Sequence, residues 1–151
     1  MSSWFECKVR YEKTQENGMV KKVSEPYLVD ALSFTEAETR ITKEITPYMA
    51  GEFEVSDIKR VRYSEVFESA EDAADKWFEC KLEFITIDER NGNEKRSNNR
   101  VLVQAANLRD AMKKLEAGMS TTMVDYNALS IKETALMDVY KFQADTGVEN
   151  S

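Results

Sequence analysis

A five-residue segment that occurs twice constrains the fold of this chain more than any other feature. Trp-Phe-Glu-Cys-Lys stands at residues 4–8 and again at residues 77–81, a spacing of 73 residues (77 minus 4). Further matches follow at nearly the same spacing: residues 17–18 with 91–92, 28–31 with 102–105, and 58–59 with 131–132. Self-similarity at a fixed period indicates a repeated structural unit, so we predict a tandem duplication of about 65 to 70 residues.

Each copy begins with polar and apolar residues in alternation, which is the period of a half-buried strand. In the first copy Phe5, Cys7 and Val9 fall on one side of the strand, opposite Trp4 and Glu6. An Asn-Gly pair then has the chemistry of a tight hairpin turn, and a second strand follows it. Each copy is therefore predicted to open with a β-hairpin.

A helix is predicted after each hairpin. Ser33 and Glu36 have the spacing of a capping box, and Asn107 with Asp110 occupies the corresponding place in the second copy. Apolar residues then recur at helical spacing. A third strand is predicted around residues 58–67 and 131–142, which makes each copy a ββαβ unit.

Neither ββαβ unit alone buries much core, because three strands and one helix leave only one covered face. We therefore predict an α+β fold in which two such repeats form one compact pseudo-two-fold domain of antiparallel sheet with two helices. The predicted segments are a first repeat at 1–69, a short acidic connection at 70–76, a second repeat at 77–143 and a frayed tail at 144–151.

Composition excludes several classes of active site. The chain has no histidine, two cysteines and five glycines. These numbers remove the common general base, the Ser-His and Cys-His nucleophile pairs and a zinc site of nitrogen and sulfur ligands. No EF-hand loop and no glycine-rich phosphate-binding loop is present. We therefore expect no enzyme activity, no catalytic residue, no metal and no cofactor.

Charge and hydropathy predict the cellular setting. The net charge of −7 argues against a surface coated with cations for duplex DNA. The apolar fraction of 42% is enough for a core, yet no apolar run approaches the roughly 18 residues of a membrane span. The first residues lack a signal-peptide pattern. We expect a cytoplasmic protein without membrane contact, in which Cys7 and Cys80 are small buried residues rather than reactive thiols.

Aromatic and basic residues are predicted to share the polar side of the strands. Such a surface is typical of proteins that bind single-stranded nucleic acid, because bases stack on aromatic rings and cations follow the phosphates. Arg60 and Arg62 join this surface if the third strand alternates in the same way. The candidate binding residues are Trp4, Lys8, Arg10, Arg60, Arg62, Trp77, Lys81, Arg96 and Arg100.

Two alternatives stand beside nucleic-acid binding. Each tryptophan can instead cover a sheet edge or pack beneath the other repeat, and acids such as Glu6 and Glu79 on the same side weaken phosphate binding. A set of apolar residues on or near the outer side favours a protein-interaction or assembly module, including a homo-oligomer. That set is Ile85, Ile87, Leu102, Met137 and Val139.

The sequence also resembles a known family. The segments that carry the resemblance are residues 4–11, 17–18, 25–38 and 55–60, including Trp-Phe-Glu-Cys-Lys-Val-Arg-Tyr and Glu-Pro-Tyr-Leu-Val-Asp-Ala-Leu-Ser-Phe-Thr-Glu-Ala-Glu. They are similar to a domain of unknown function, DUF4494, whose members occur in gut Bacteroidetes, their mobile elements and phages. The resemblance implies a bacterial or phage origin and assigns no catalytic or binding residue.

Overall fold

The structure is a computed structural model that describes residues 2–141. The chain divides into two compact units that do not follow the order of the sequence. The first unit takes its described residues from 2–61 and 136–141, and the second consists of Arg62–Ala135. The chain therefore leaves the first unit, builds the second and returns to the first.

The described residues of the first unit form one α-helix and one four-stranded sheet. Its elements are β1 (Ser3–Thr14), β2 (Val20–Ala31), α1 (Phe34–Ile45), a 3-10 turn (Thr46–Tyr48), β3 (Phe53–Val61) and the distant β8 (Val139–Tyr140). The strand order is β3-β1-β2-β8, with β8 parallel to β2 and the other neighbours antiparallel.

The second unit has the same kinds of element. They are β4 (Glu65–Phe67), β5 (Lys76–Ile87), β6 (Glu94–Ala105), α2 (Leu108–Met119) and β7 (Asp125–Glu133). The strand order is β4-β6-β5-β7, with β4 parallel to β6 and the rest antiparallel. The predicted α+β class is confirmed. The prediction of purely antiparallel sheet is wrong, because each sheet also contains one parallel pair of strands.

The mixed pairing arises because the predicted third strand is in fact two strands. Each short strand, β4 or β8, follows one unit's third long strand along the chain yet pairs with the sheet of the other unit. We call β4 and β8 the exchanged strands. No glycine or proline stands between residues 58 and 67, so the apolar pattern alone did not separate β3 from β4.

Local signals in the sequence placed the hairpins and helix starts correctly. Gly18 and Gly92 adopt φ values of +83° and +72°, the left-handed region that glycine enters without steric cost. The Ser33 hydroxyl accepts a hydrogen bond from the Glu36 amide at 3.1 Å. The equivalent bond in α2, from the Asp110 amide to Asn107 Oδ1, is 2.9 Å long. Both helices are thus capped as predicted.

Each unit has its own apolar core between the helix and one side of the sheet, which we call the helix face. In the first unit, alternate residues of β1 and β2 pack against Ala37, Ile41 and Ile45. In the second, the same positions of β5 and β6 pack against Ala111, Leu115 and Met119. The opposite side of each sheet is the outer face, and it presents most of the residues predicted to bind a ligand.

The predicted segment boundaries and the single pseudo-two-fold body stay predictions. Residues 142 and 143 of the predicted second repeat, and the whole predicted tail at 144–151, lie outside the described residues.

Candidate binding surfaces

The two tryptophans open the first strand of each sheet, and both lie on an outer face. The register of β1 places Trp4 between Asp30 of β2 and Val61 of β3, and its side chain is half-buried. Trp77 is only 3% exposed. An incoming base therefore has no open ring surface on Trp77 in this conformation, whereas part of Trp4 remains accessible.

Apolar residues on the outer faces are also less exposed than predicted. Leu102 and Val139 are buried, so they do not form the exposed apolar set that we expected. Ile85 is half-buried, while Ile87 and Met137 are exposed. The expected apolar set therefore does not form one accessible surface.

Three of the candidate arginines are paired with carboxylates. Arg10 lies 3.2 Å from Glu54, and Arg100 lies 3.6 Å from Glu79. Arg96 contacts both Glu83 at 3.0 Å and Glu94 at 3.2 Å. Each ion pair neutralises a cation that a phosphate would need, so binding a phosphate here requires separating a pair first.

Arg100 belongs to a small polar cluster on the outer face of the second unit. Its guanidinium carbon lies 5.4 Å from the centre of the Tyr63 ring, within cation–π range. The Tyr63 hydroxyl in turn donates a hydrogen bond of 3.1 Å to Glu79. Arg100, Tyr63 and Glu79 thus hold one another, which favours a structural role for this arginine.

Lys8, Lys81 and Arg62 are candidate cations that remain accessible. All three are exposed, and none forms an ion pair with another residue of the described range 2–141. Lys8 and Lys81 occupy equivalent outer-face positions in β1 and β5. They are the residues of the predicted nucleic-acid surface that the geometry leaves available.

Arg60 lies on the helix face and not with Trp4. Its neighbour across β1 is Phe5, a core residue, so the two side chains point to the same side of the sheet. The guanidinium carbon lies 5.4 Å from the ring centre of Phe5 and 5.6 Å from that of Phe34. The third strand therefore does not place Arg60 on the same side of the sheet as Trp4, and Arg60 is not part of the predicted nucleic-acid surface.

The cysteines are buried, as predicted, and their thiols are unreactive near neutral pH. Cys7 and Cys80 are unpaired and lie in the two helix-face cores. Burial raises the pKa of each thiol from 9.0 to about 12, with the nearby carboxylates Glu6 and Glu79 adding to the shift. Almost no thiolate is present near neutral pH, so neither residue is a nucleophile there.

An accessible apolar surface does occur at the start of each helix. Leu32 and Phe34 flank the cap of α1 and are 57% and 48% exposed. Leu108 and Met112, four residues apart on α2, are each 52% exposed. We call these the helix-start surfaces. Phe34, Leu108 and Met112 share the helical spacing of the buried residues of α1 and α2, so spacing alone does not distinguish exposed from buried positions.

The described residues offer neither a metal-binding cluster nor a membrane-spanning helix. Within residues 2–141, no group of three or more Cys, Asp or Glu side chains has the geometry to hold a metal ion. None of the helices in that range has the length and apolar content needed to cross a membrane.

The model of the family described as Domain of unknown function (DUF4494) matches residues 3–142. The chain belongs to the DUF4494 family. The match covers strands β1 to β8 and helices α1 and α2 of this DUF4494 chain, which confirms the resemblance seen in the sequence. No curated protein matches it.

Proposed function

We propose that this DUF4494 chain is a non-enzymatic protein-interaction module that binds through its helix-start surfaces. The observation that carries the proposal is the exposure of two large apolar side chains near the start of each helix: Leu32 with Phe34, and Leu108 with Met112. Of these, Phe34 and Leu108 occupy the same position, the first residue of their helices. Single exposed apolar residues are ordinary on protein surfaces, but two of them near the start of each helix favour contact with another protein.

The non-enzymatic part of the proposal rests on the side-chain chemistry of the chain. Histidine is absent, and both thiols are held neutral by burial. A side-chain general base would therefore be chiefly a carboxylate or a lysine. The pairing of outer-face acids such as Glu79 and Glu83 with arginines favours structural roles for these acids.

Single-stranded nucleic acid is the alternative ligand. Exposed Lys8 and Lys81 and the accessible part of Trp4 support it, because they offer cations and a ring on the outer faces. The burial of Trp77 and the ion pairs of Arg10, Arg96 and Arg100 weaken it. The protein-interaction proposal has the better support for this reason.

Photo-crosslinking in the cells of origin separates these two functions. A photoreactive phenylalanine replaces Phe34 or Leu108, and the matched control carries it at Tyr48, an exposed aromatic position on the 3-10 turn. We expect a discrete adduct from positions 34 and 108 that protease removes and nuclease does not, with none from position 48. Adducts only with nucleic acid, or equal adducts from all three positions, would overturn the proposal.

We also propose that the chain arose by tandem duplication of the β-β-α-β unit. Equivalent irregularities support this origin: the pairing of β1 with β3 shifts between Lys8 and Val9, and the pairing of β5 with β7 shifts between Lys81 and Leu82. Bulges are inherited features of a sheet rather than accidents. For the cellular setting we propose the cytoplasm of a bacterium, with the gene on a host or phage genome, as the family resemblance implies.

A further inference from the structure

Arg60 and Glu133 occupy equivalent positions in the two sheets but carry opposite charges. Arg60 on β3 pairs with Phe5, and Glu133 on β7 pairs with Phe78, the first core phenylalanine of its own unit. Both lie on the helix face of a strand at the edge of its sheet. Both side chains are exposed, and neither forms an ion pair within the part of the chain that the structure describes.

The charge of Arg60 is continuous with the helix-start surface of the first unit. Its guanidinium carbon lies 5.6 Å from the Phe34 ring centre, and the Phe34 ring meets Phe5 edge-on at 4.9 Å. Phe34 is still 48% exposed. The first unit therefore presents a cation beside accessible apolar surface.

The second unit presents the opposite combination. Leu108 begins α2 as Phe34 begins α1, and Met112 follows it on the exposed side of the helix. The charged residue on the neighbouring edge strand is here the carboxylate Glu133. Each unit thus has exposed apolar residues at its helix start, and the charge at the equivalent edge-strand position is opposite in the two units.

We infer that the helix-start surface of the first unit in one copy binds the helix-start surface of the second unit in another copy, with Arg60 in contact with Glu133. This inference rests on the proposed function and names its partner, a second copy of this chain. Leu32 and Phe34 of one copy would then cover Leu108 and Met112 of the next. Because the joined surfaces differ, each contact joins two non-equivalent surfaces.

Because the net charge of the chain is −7, association of two copies depends on the opposite charges of Arg60 and Glu133. Copies of one acidic protein repel each other at long range, so a specific contact needs local attraction to offset that repulsion. A pair of opposite charges flanked by apolar surface supplies attraction and fixes the orientation. Reversing either charge would place two like charges in the contact.

Sedimentation velocity over a concentration series tests the inference with Arg60→Glu and Glu133→Arg. We expect the wild type to self-associate and each single variant to do so at least about tenfold more weakly. An equimolar mixture of the two single variants should recover association, since the carboxylate introduced at position 60 of one variant then meets the guanidinium introduced at position 133 of the other. The double variant should recover it as well. Circular dichroism verifies that each variant is folded.

Two variants serve as matched controls. Lys13→Glu and Glu89→Arg reverse a charge at exposed positions at or beyond the hairpin ends of β1 and β5, the opposite ends of these strands from Phe5 and Phe78, and should leave association unchanged. A strict monomer at every concentration, or recovery neither in the mixture nor in the double variant, would overturn the inference. If crosslinking from position 108 captures a protein of another mass while the chain is monomeric, the inference fails but the proposed function stands.

Discussion

Gly118 of α2 lies directly against the ring of Phe67 on the exchanged strand β4. A Cβ atom at position 118 would stand 2.7 Å from Cε2 of that ring, closer than a carbon–carbon contact allows. The absence of a side chain at residue 118 therefore lets the aromatic ring of β4 dock onto the helix. Phe67 in turn packs against the core of the second unit.

Replacing Gly118 by alanine should destabilise the protein. Overpacking typically costs about 1 to 3 kcal/mol, and the better helix propensity of alanine returns about 1 kcal/mol. We expect a net loss of about 1 kcal/mol in the free energy of unfolding, measured with urea. In a Phe67→Ala background the same substitution should be neutral or stabilising. Equal effects of Gly118→Ala in both backgrounds would show that the ring contact is not the cause.

The two helix caps should contribute similar free energies. Ser33→Ala and Asn107→Ala each remove the side-chain acceptor of a capping bond. Each change should cost about 1 kcal/mol, whereas the glycine variants should lose only a few tenths. Urea unfolding of the four variants measures this difference, and a loss as large with glycine as with alanine would contradict it.

The tryptophans should differ in their access to solvent. Trp4→Phe leaves Trp77, which is buried, as the only tryptophan, and Trp77→Phe leaves the half-buried Trp4. Acrylamide should quench Trp77 several times less efficiently than Trp4, and the emission of Trp77 should lie at shorter wavelength. Equal quenching of the two variants, with native circular dichroism, would show that Trp77 is accessible and would restore it as a candidate for base stacking.

The buried thiols should make the protein lose stability in alkali. Folded Cys7 and Cys80 have a pKa of about 12 against an ordinary value of 9.0. The thiols of the unfolded chain therefore ionise at lower pH than those of the folded protein. Their contribution to the free energy of unfolding is fully present below about pH 9. It declines as the pH rises from about 9 towards 12, by up to about 1.4 kcal/mol per pH unit for each thiol.

The double variant Cys7→Ala/Cys80→Ala isolates this contribution from other titrating groups. The difference in unfolding free energy between wild type and variant should be larger at about pH 8 than at about pH 10.5, because only the wild type carries the thiols that the unfolded state ionises. A difference independent of pH would mean that the thiols are not protected in the folded protein.

Local patterns predicted most of the secondary structure. The hairpins and caps depend on neighbouring residues, as Gly18 and Ser33 show, and such signals are legible in one sequence. The alternation of Phe5, Cys7 and Val9 likewise identified the helix face of β1. These elements were predictable because the physical cause of each lies within a few residues of it.

Properties that depend on distant residues were not predictable in the same way. The exchanged strands are only three and two residues long, and their pairing partners stand far away in the sequence. The face of Arg60 follows from its register with Phe5, which no local pattern encodes. The burial of Trp77 depends on tertiary packing, and alternation assigned it only to the outer side.

The exchanged strands also determine the order in which the two sheets are completed while the chain is being synthesised. All strands of the second unit lie within residues 62–135, so its sheet is complete in the nascent chain as soon as β7 has emerged. The first unit was begun earlier but lacks an edge until Val139 and Tyr140 arrive. The half that is synthesised first is therefore the half that is finished last, and its β2 edge remains open to other chains until then.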